Sequence, residues 1–101
     1  MKVSHHPDYH LPLPEGHPFP MVKYTLVYDR LRAAGLLPAE RIMLPDEATR
    51  VDLERVHTRE YLDRLFGIGL SAPEQRALGV PWSPRLLRRS RLATQGTLLA
   101  A

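Results

Sequence analysis

The last ten residues, Leu92-Ala93-Thr94-Gln95-Gly96-Thr97-Leu98-Leu99-Ala100-Ala101, carry no charge, and wound as a helix they are apolar nearly all round. A helix without a polar face wants burial on both sides. Nothing earlier in the 101 residues supplies two covering layers. The helix has a clear start: Ser83 and Pro84 fit the N-cap and N1 positions, followed by a basic stretch at Arg85, Arg88, Arg89 and Arg91. It has no stop signal, because Ala101 falls inside the apolar pattern with no glycine or proline to end it. A self-contained helical domain would show polar outer faces and a capped final helix. The expectation is a single partial domain over 1–101, a piece of a larger fold.

Upstream, residues 1–20 hold four of the five histidines and five of the ten prolines. Proline removes backbone donors and fixes φ, so this opening segment is expected to be extended; only Met1 to Ser4 suits a short strand. A first helix is expected from Met21 to Ala34. Val22, Leu26, Leu31 and Ala34 fall near helical spacing, Val27 flanks them, and Tyr24 and Tyr28 sit one turn apart for stacking. Gly35 supplies a left-handed stop and Pro38 blocks continuation. Ile42-Met43-Leu44 reads as a buried strand or an extended linker. Thr49 caps a short helix through Val56, with Val51, Leu53 and Val56 as its apolar members. Thr58 caps another, with Glu60 favouring its positive N-terminus and Tyr61, Leu62, Leu65 and Phe66 on one face up to Gly67. Ser71-Ala72-Pro73-Glu74 is a capping box for a helix ending at Gly79. Val80-Pro81-Trp82-Ser83-Pro84 is a stiff loop. No repeat or low-complexity segment interrupts this order.

Composition limits the classes available. The length allows one modest core. No run of 18 or more apolar residues exists, so no membrane span is expected. The first residues lack the apolar core of a signal peptide, and without cysteine there are neither disulfides nor thiolate metal sites. The default expectation is a cytoplasmic protein. The formal charge of +3 does not demand a polyanionic partner.

Four groups of residues bear chemistry. His5, His6, His10 and His17, near Asp8 and Glu15, are zinc-ligand types, but Pro7 keeps His6 and His10 off a common helical face. Loop histidines bonded to backbone or water are the plainer reading. His57 precedes a capped helix with no nucleophile partner placed beside it. The arginines from Arg85 to Arg91 could meet phosphates. Without aromatic interleaving, a solvated helix start or pairing with carboxylates is favoured over nucleic acid. Trp82 either plugs a core or lines a pocket, the core being favoured. No Gly-rich phosphate loop, His-Glu-x-x-His or Asp-x-His motif occurs, so spacing alone identifies no enzyme.

Gly16-His17-Pro18-Phe19-Pro20-Met21-Val22-Lys23-Tyr24 resembles the opening motif of a bacterial branch of the histone deacetylase superfamily. Asp52-Leu53-Glu54-Arg55-Val56-His57 with Glu60-Tyr61-Leu62 is similar to that family's Val-His and Glu-Tyr segment. Gly79-Val80-Pro81-Trp82-Ser83-Pro84, Arg89-Ser90-Arg91 and Gly96-Thr97 resemble the next stretch of that branch's sequence. The pieces occur in order across nearly the whole chain. The resemblance implies an α/β class, the N-terminal part of an arginase/deacetylase-like parallel-sheet domain, mostly helical here with one or two short strands. It implies a zinc-dependent amidohydrolase acting on acetyl-lysine, acetylated polyamines or similar amides. Zinc would polarise the carbonyl and activate water, with a histidine pair moving protons and a tyrosine stabilising the oxyanion.

In the family the tandem histidines and the Asp/His/Asp zinc ligands come after the helix reached at Ala101. No catalytic or metal residue is therefore assigned, and His5-His6, lying before the opening motif, does not take the tandem-histidine role. Lys23 is the cation nearest the opening motif, where many members place an arginine along an internal channel; a lysine lacks the bidentate fork. Trp82 and Ser83 correspond to a loop at the substrate rim. Catalytic incompetence of the 101 residues alone is expected, with an acetylated substrate as partner only when the rest of the domain is present. The alternative is a small non-enzymatic helical module that docks on a partner through its apolar final helix.

Overall fold

The computed structural model describes Lys2 to Ala101; Met1, the first residue of the expected Met1–Ser4 strand, lies outside the described residues. The chain is mostly helical with a two-stranded parallel sheet. Strand β1 (Val3–Ser4) pairs with β2 (Ile42–Met43), Val3 opposite Ile42 and Ser4 opposite Met43, and the His5 N–H donates to the Met43 carbonyl at 3.0 Å. Parallel strands need a crossover, and helix α1 (Lys23–Ala33) lies on it. Ile42-Met43 is thus a strand, half-buried rather than buried, and Leu44 is exposed.

Helix α1 begins two residues later than the sequence suggests, because Met21 turns into a core with Leu11 and Leu86 before the helix starts. Its end follows expectation. Gly35 has φ +71°, its N–H donates to the Arg32 carbonyl at 3.1 Å, and the Leu36 N–H donates to Leu31 at 3.0 Å. That is the Schellman pattern. No residue of α1 is buried, and Val22, Leu26 and Val27 are exposed, so the apolar stripe does not cover this chain's own core. Tyr24 and Tyr28 do not stack on each other. Tyr28 stacks on His5, ring centroids 3.7 Å apart and 6° from parallel, and Tyr24 meets Tyr9 edge-on at 6.5 Å.

Helix α2 (Arg50–Leu53) is capped by Thr49, whose hydroxyl accepts from the Asp52 N–H. It stops at Leu53, short of the expected Val56, and buries only Leu53; Val51 and Val56 are exposed. Thr58 caps α3 (Arg59–Phe66) through the Tyr61 N–H, and Leu62 joins Ala48 and Leu53 in a small core flanked by Leu65 and Phe66.

Helix α4 (Ala72–Leu78) carries the full capping box, Ser71 and Glu74 each bonding the other's backbone N–H. Hydrogen bonds from Ser71, and then from Arg64, hold the Glu74 carboxyl below its ordinary range. A carboxylate depressed by folding stabilises above its unfolded pKa, and that stability is lost as pH falls through the lower folded value. Helix α4 is therefore expected to fray on acidification below about pH 4. The protection factors of the Gln75 and Arg76 amides, taken against intrinsic exchange at each pH, should fall there in the native protein and not change with pH in Glu74→Gln. Equal pH dependence in both would remove Glu74 as the cause.

Helix α5 (Pro84–Ala100) is capped by Ser83 and buries Leu86, Leu92 and Gly96. It crosses β1 and the 3-10 turn Pro7–Tyr9. Of the arginine run, Arg88 and Arg91 pair with carboxylates, while Arg85 is exposed at the helix start. Arg88 reaches Asp8 at 3.0 Å and Glu47 at 3.7 Å. Arg91 donates to the Ala48 carbonyl at 3.0 Å and to Glu47 at 3.2 Å, and lies 4.8 Å from the Phe66 ring centroid. The expected two-sided burial of α5 is not met within the chain: Leu98 is 50% exposed and Leu99 44%. Shape explains this. The molecule measures 44 × 35 × 16 Å with a radius of gyration of 15.3 Å, against about 13 Å for a compact domain of this size. A slab that thin covers a helix on one side only.

Candidate functional site

The Trp82 loop is built by what flanks it. Gly79 ends α4 in the left-handed region at φ +80°, and Pro81 and Pro84 stiffen the turn back into α5. The indole packs against the Leu11–Met21–Leu86 core. Its other flank lies on Gly69, whose φ is +88° and where an added Cβ would sit 3.0 Å from the indole Nε1. Trp82 also walls a cavity of about 370 Å³, shared with Phe19, Met21, Leu65 and Leu86, which His57 also lines. Core plug and pocket wall are therefore both true of it. Ser83 points elsewhere: its Oγ accepts the Leu86 N–H at 3.0 Å as the α5 cap.

Lys23 opens α1 and is exposed. Its Nζ lies 5.0 Å from the Phe19 ring centroid and 5.2 Å from that of Tyr24. It lines a second cavity of about 370 Å³ with His5, Tyr9 and Tyr28. Burial, then the neighbouring His6, push the His5 imidazole's pKa down, with Asp29 opposing. Lys23 and Trp82 thus face different cavities. Arg89 links the two regions. It donates to the Tyr9 carbonyl at 3.0 Å, sits 5.0 Å from the Tyr24 ring centroid, and lines the Trp82 cavity. The sequence set Arg89 apart only as part of the Arg89-Ser90-Arg91 resemblance, with no sign of this bridging position.

A family model described as the histone deacetylase domain matches residues 17–101. The chain belongs to the histone deacetylase family. An uncharacterized protein of Picosynechococcus sp. is 37% identical to it over 99 residues, covering 98% of this chain and 33% of the relative. The chain spans about a third of that relative's length.

In this histone deacetylase family chain the histidines are placed as loop residues. The His6 Nδ1 accepts the Asp8 N–H at 2.9 Å, capping the 3-10 turn. The His10 Nδ1 is buried without a partner. His57 tilts against Tyr61 at 5.3 Å between ring centroids. Among the described residues no group of three or more His, Asp or Glu side chains is placed to hold a metal. The donors present do not fit the zinc that the family implies, and no catalytic step is assigned to them. Nor does any helix among the described residues have the length and apolarity to cross a membrane.

Proposed function

We propose that the chain is the N-terminal part of an arginase/deacetylase-like α/β domain, a zinc-dependent amidohydrolase of acetyl-lysine, acetylpolyamine or related amides. Residues 1–101 serve it as scaffold and as part of the pocket wall, in the cytoplasm. The domain match that starts at His17, the head of the opening motif, carries this reading. The parallel β1–β2 pair, with α1 on its crossover, is a topology that fits a larger parallel sheet. Lys23 is proposed to stand near an internal channel, and Trp82 and Ser83 at the substrate rim, Ser83 through its cap on α5. The metal ligands belong to the remainder of the domain. A second reading, a non-enzymatic module docking through α5, draws on the exposure of Leu98 and Leu99.

A chimera tests the proposal. The 101 residues replace the matching third of the Picosynechococcus relative, and acetate release from acetylated lysine peptides and acetylpolyamines is measured with and without a zinc chelator. Chelator-sensitive hydrolysis is expected from the chimera, and neither stoichiometric zinc nor acetate release from the 101 residues alone. Robust turnover by the short chain would overturn the scaffold role. An inactive, folded chimera of an active parent would overturn its membership in the catalytic domain.

A further inference from the structure

His17 uses both ring nitrogens, and they tie two segments far apart in sequence. Its Nδ1 accepts the Phe19 N–H at 3.1 Å. The opposite nitrogen, Nε2, lies 2.8 Å from the Gly79 carbonyl oxygen. Because Nδ1 accepts, the neutral ring carries its proton on Nε2, which donates to Gly79. The imidazole is itself held by a tight turn: the His17 N–H donates to the Pro14 carbonyl at 3.0 Å, with Gly16 at φ +78°. Gly79 is the C-cap of α4 and lies three residues before Trp82, and Phe19 walls the same cavity as Trp82.

We propose that His17 is the positioning residue of the Trp82 loop, a strut between the opening motif and the end of α4. The one ring serves both bonds at once, Nδ1 accepting and Nε2 donating. The cleft beside the ring is lined by α4 and the Trp82 loop, and Arg76 of α4 is its charged member apart from His17. Glu15 lies two residues back on the same turn, and Lys23 stands over the Phe19 ring. The strut is a property of this chain and does not rest on the rim reading above.

Trp82 is the single tryptophan, so its fluorescence and acrylamide quenching report the loop directly. Glutamine can place an N–H₂ where Nε2 stands, and asparagine an acceptor where Nδ1 stands. At one fixed pH, losing the bond to Gly79 should raise quenching over the native chain by up to about five-fold, the worth of one hydrogen bond. His17→Gln should stay as protected as the native chain. His17→Asn should be quenched strongly, with far-UV circular dichroism unchanged. Native-like quenching in His17→Asn would overturn the proposal. So would quenching in His17→Gln as strong as in His17→Asn. If His17→Asn loses its helical signal, the His17→Gln comparison decides alone. None of these readouts needs turnover, so failure here leaves the amidohydrolase reading standing, and an inactive chimera leaves the strut standing.

Discussion

Gly96→Val is expected to lower the unfolding free energy by about 2–3 kcal/mol, the upper part of the range for overpacking a tight contact. Helix propensity alone predicts little or the opposite: replacing an interior helical glycine by alanine usually gains about 1 kcal/mol. The sign reverses here because α5 crosses the sheet at this residue. A Cβ on Gly96 would fall inside contact distance of the Tyr9 hydroxyl and the Ser4 hydroxyl, with the Ser4 Cβ only 3.3 Å away. Neither hydroxyl moves freely. They bond each other at 2.8 Å, and Tyr9 also reaches the Leu92 carbonyl at 3.4 Å. Thermal or urea unfolding of Gly96→Ala, Gly96→Val and each combined with Tyr9→Phe measures this. Removing the phenol oxygen should recover part of the loss, a coupling that additive mutations would not show. Wild-type stability in Gly96→Val would mean that α5 does not approach β1 this closely.

The same crossing shows what the sequence could and could not reveal. The caps at Thr49, Thr58, Ser71 and Ser83, and the stops at Gly35 and Gly79, were legible because each is a local bargain between a side chain or a positive φ and a few backbone groups. Burial was not legible, because it depends on what lies opposite. Val22 and Leu26 have helical spacing and Val27 flanks them, yet all three are exposed in the slab, while Gly96, with no side chain to signal anything, is buried. The site divided along the same line. Trp82 stood out as a large aromatic on a proline-stiffened loop. The Gly69 seat beneath it and the bond from His17 to Gly79 join residues far apart in sequence, and no spacing announces them. Lys23 was singled out only by its place in a motif, and only the structure shows that it and Trp82 face separate cavities.

Leu62→Ala is expected to be the most damaging single truncation, at about 2–5 kcal/mol. A domain of this size has only about 5–15 kcal/mol in total. Leu62 is 0% exposed and meets Ala48 and Leu53, with Leu65 and Phe66 packed at the edge. Two opposing effects set where in the range the value falls. The four-residue α2 could settle into the space, which lowers the cavity cost. Against that, Ala48 is fixed from the other side, its N–H donating to the Arg91 carbonyl at 3.1 Å and its carbonyl accepting from the Arg91 side chain at 3.0 Å. Phe66 meanwhile supports the same guanidinium. Collapse onto the void would therefore strain the Arg91 contacts, and the larger cost should win. Val56→Ala, at a residue 79% exposed, should change stability by less than about 0.5 kcal/mol. A Leu62→Ala, Arg91→Ala double variant should lose less than the two single losses added, since the first already loosens what the second removes. Strict additivity would show that the small core and the arginine clamp are independent, and a Leu62→Ala loss no larger than that of Val56→Ala would show that α3 does not dock through Leu62 at all.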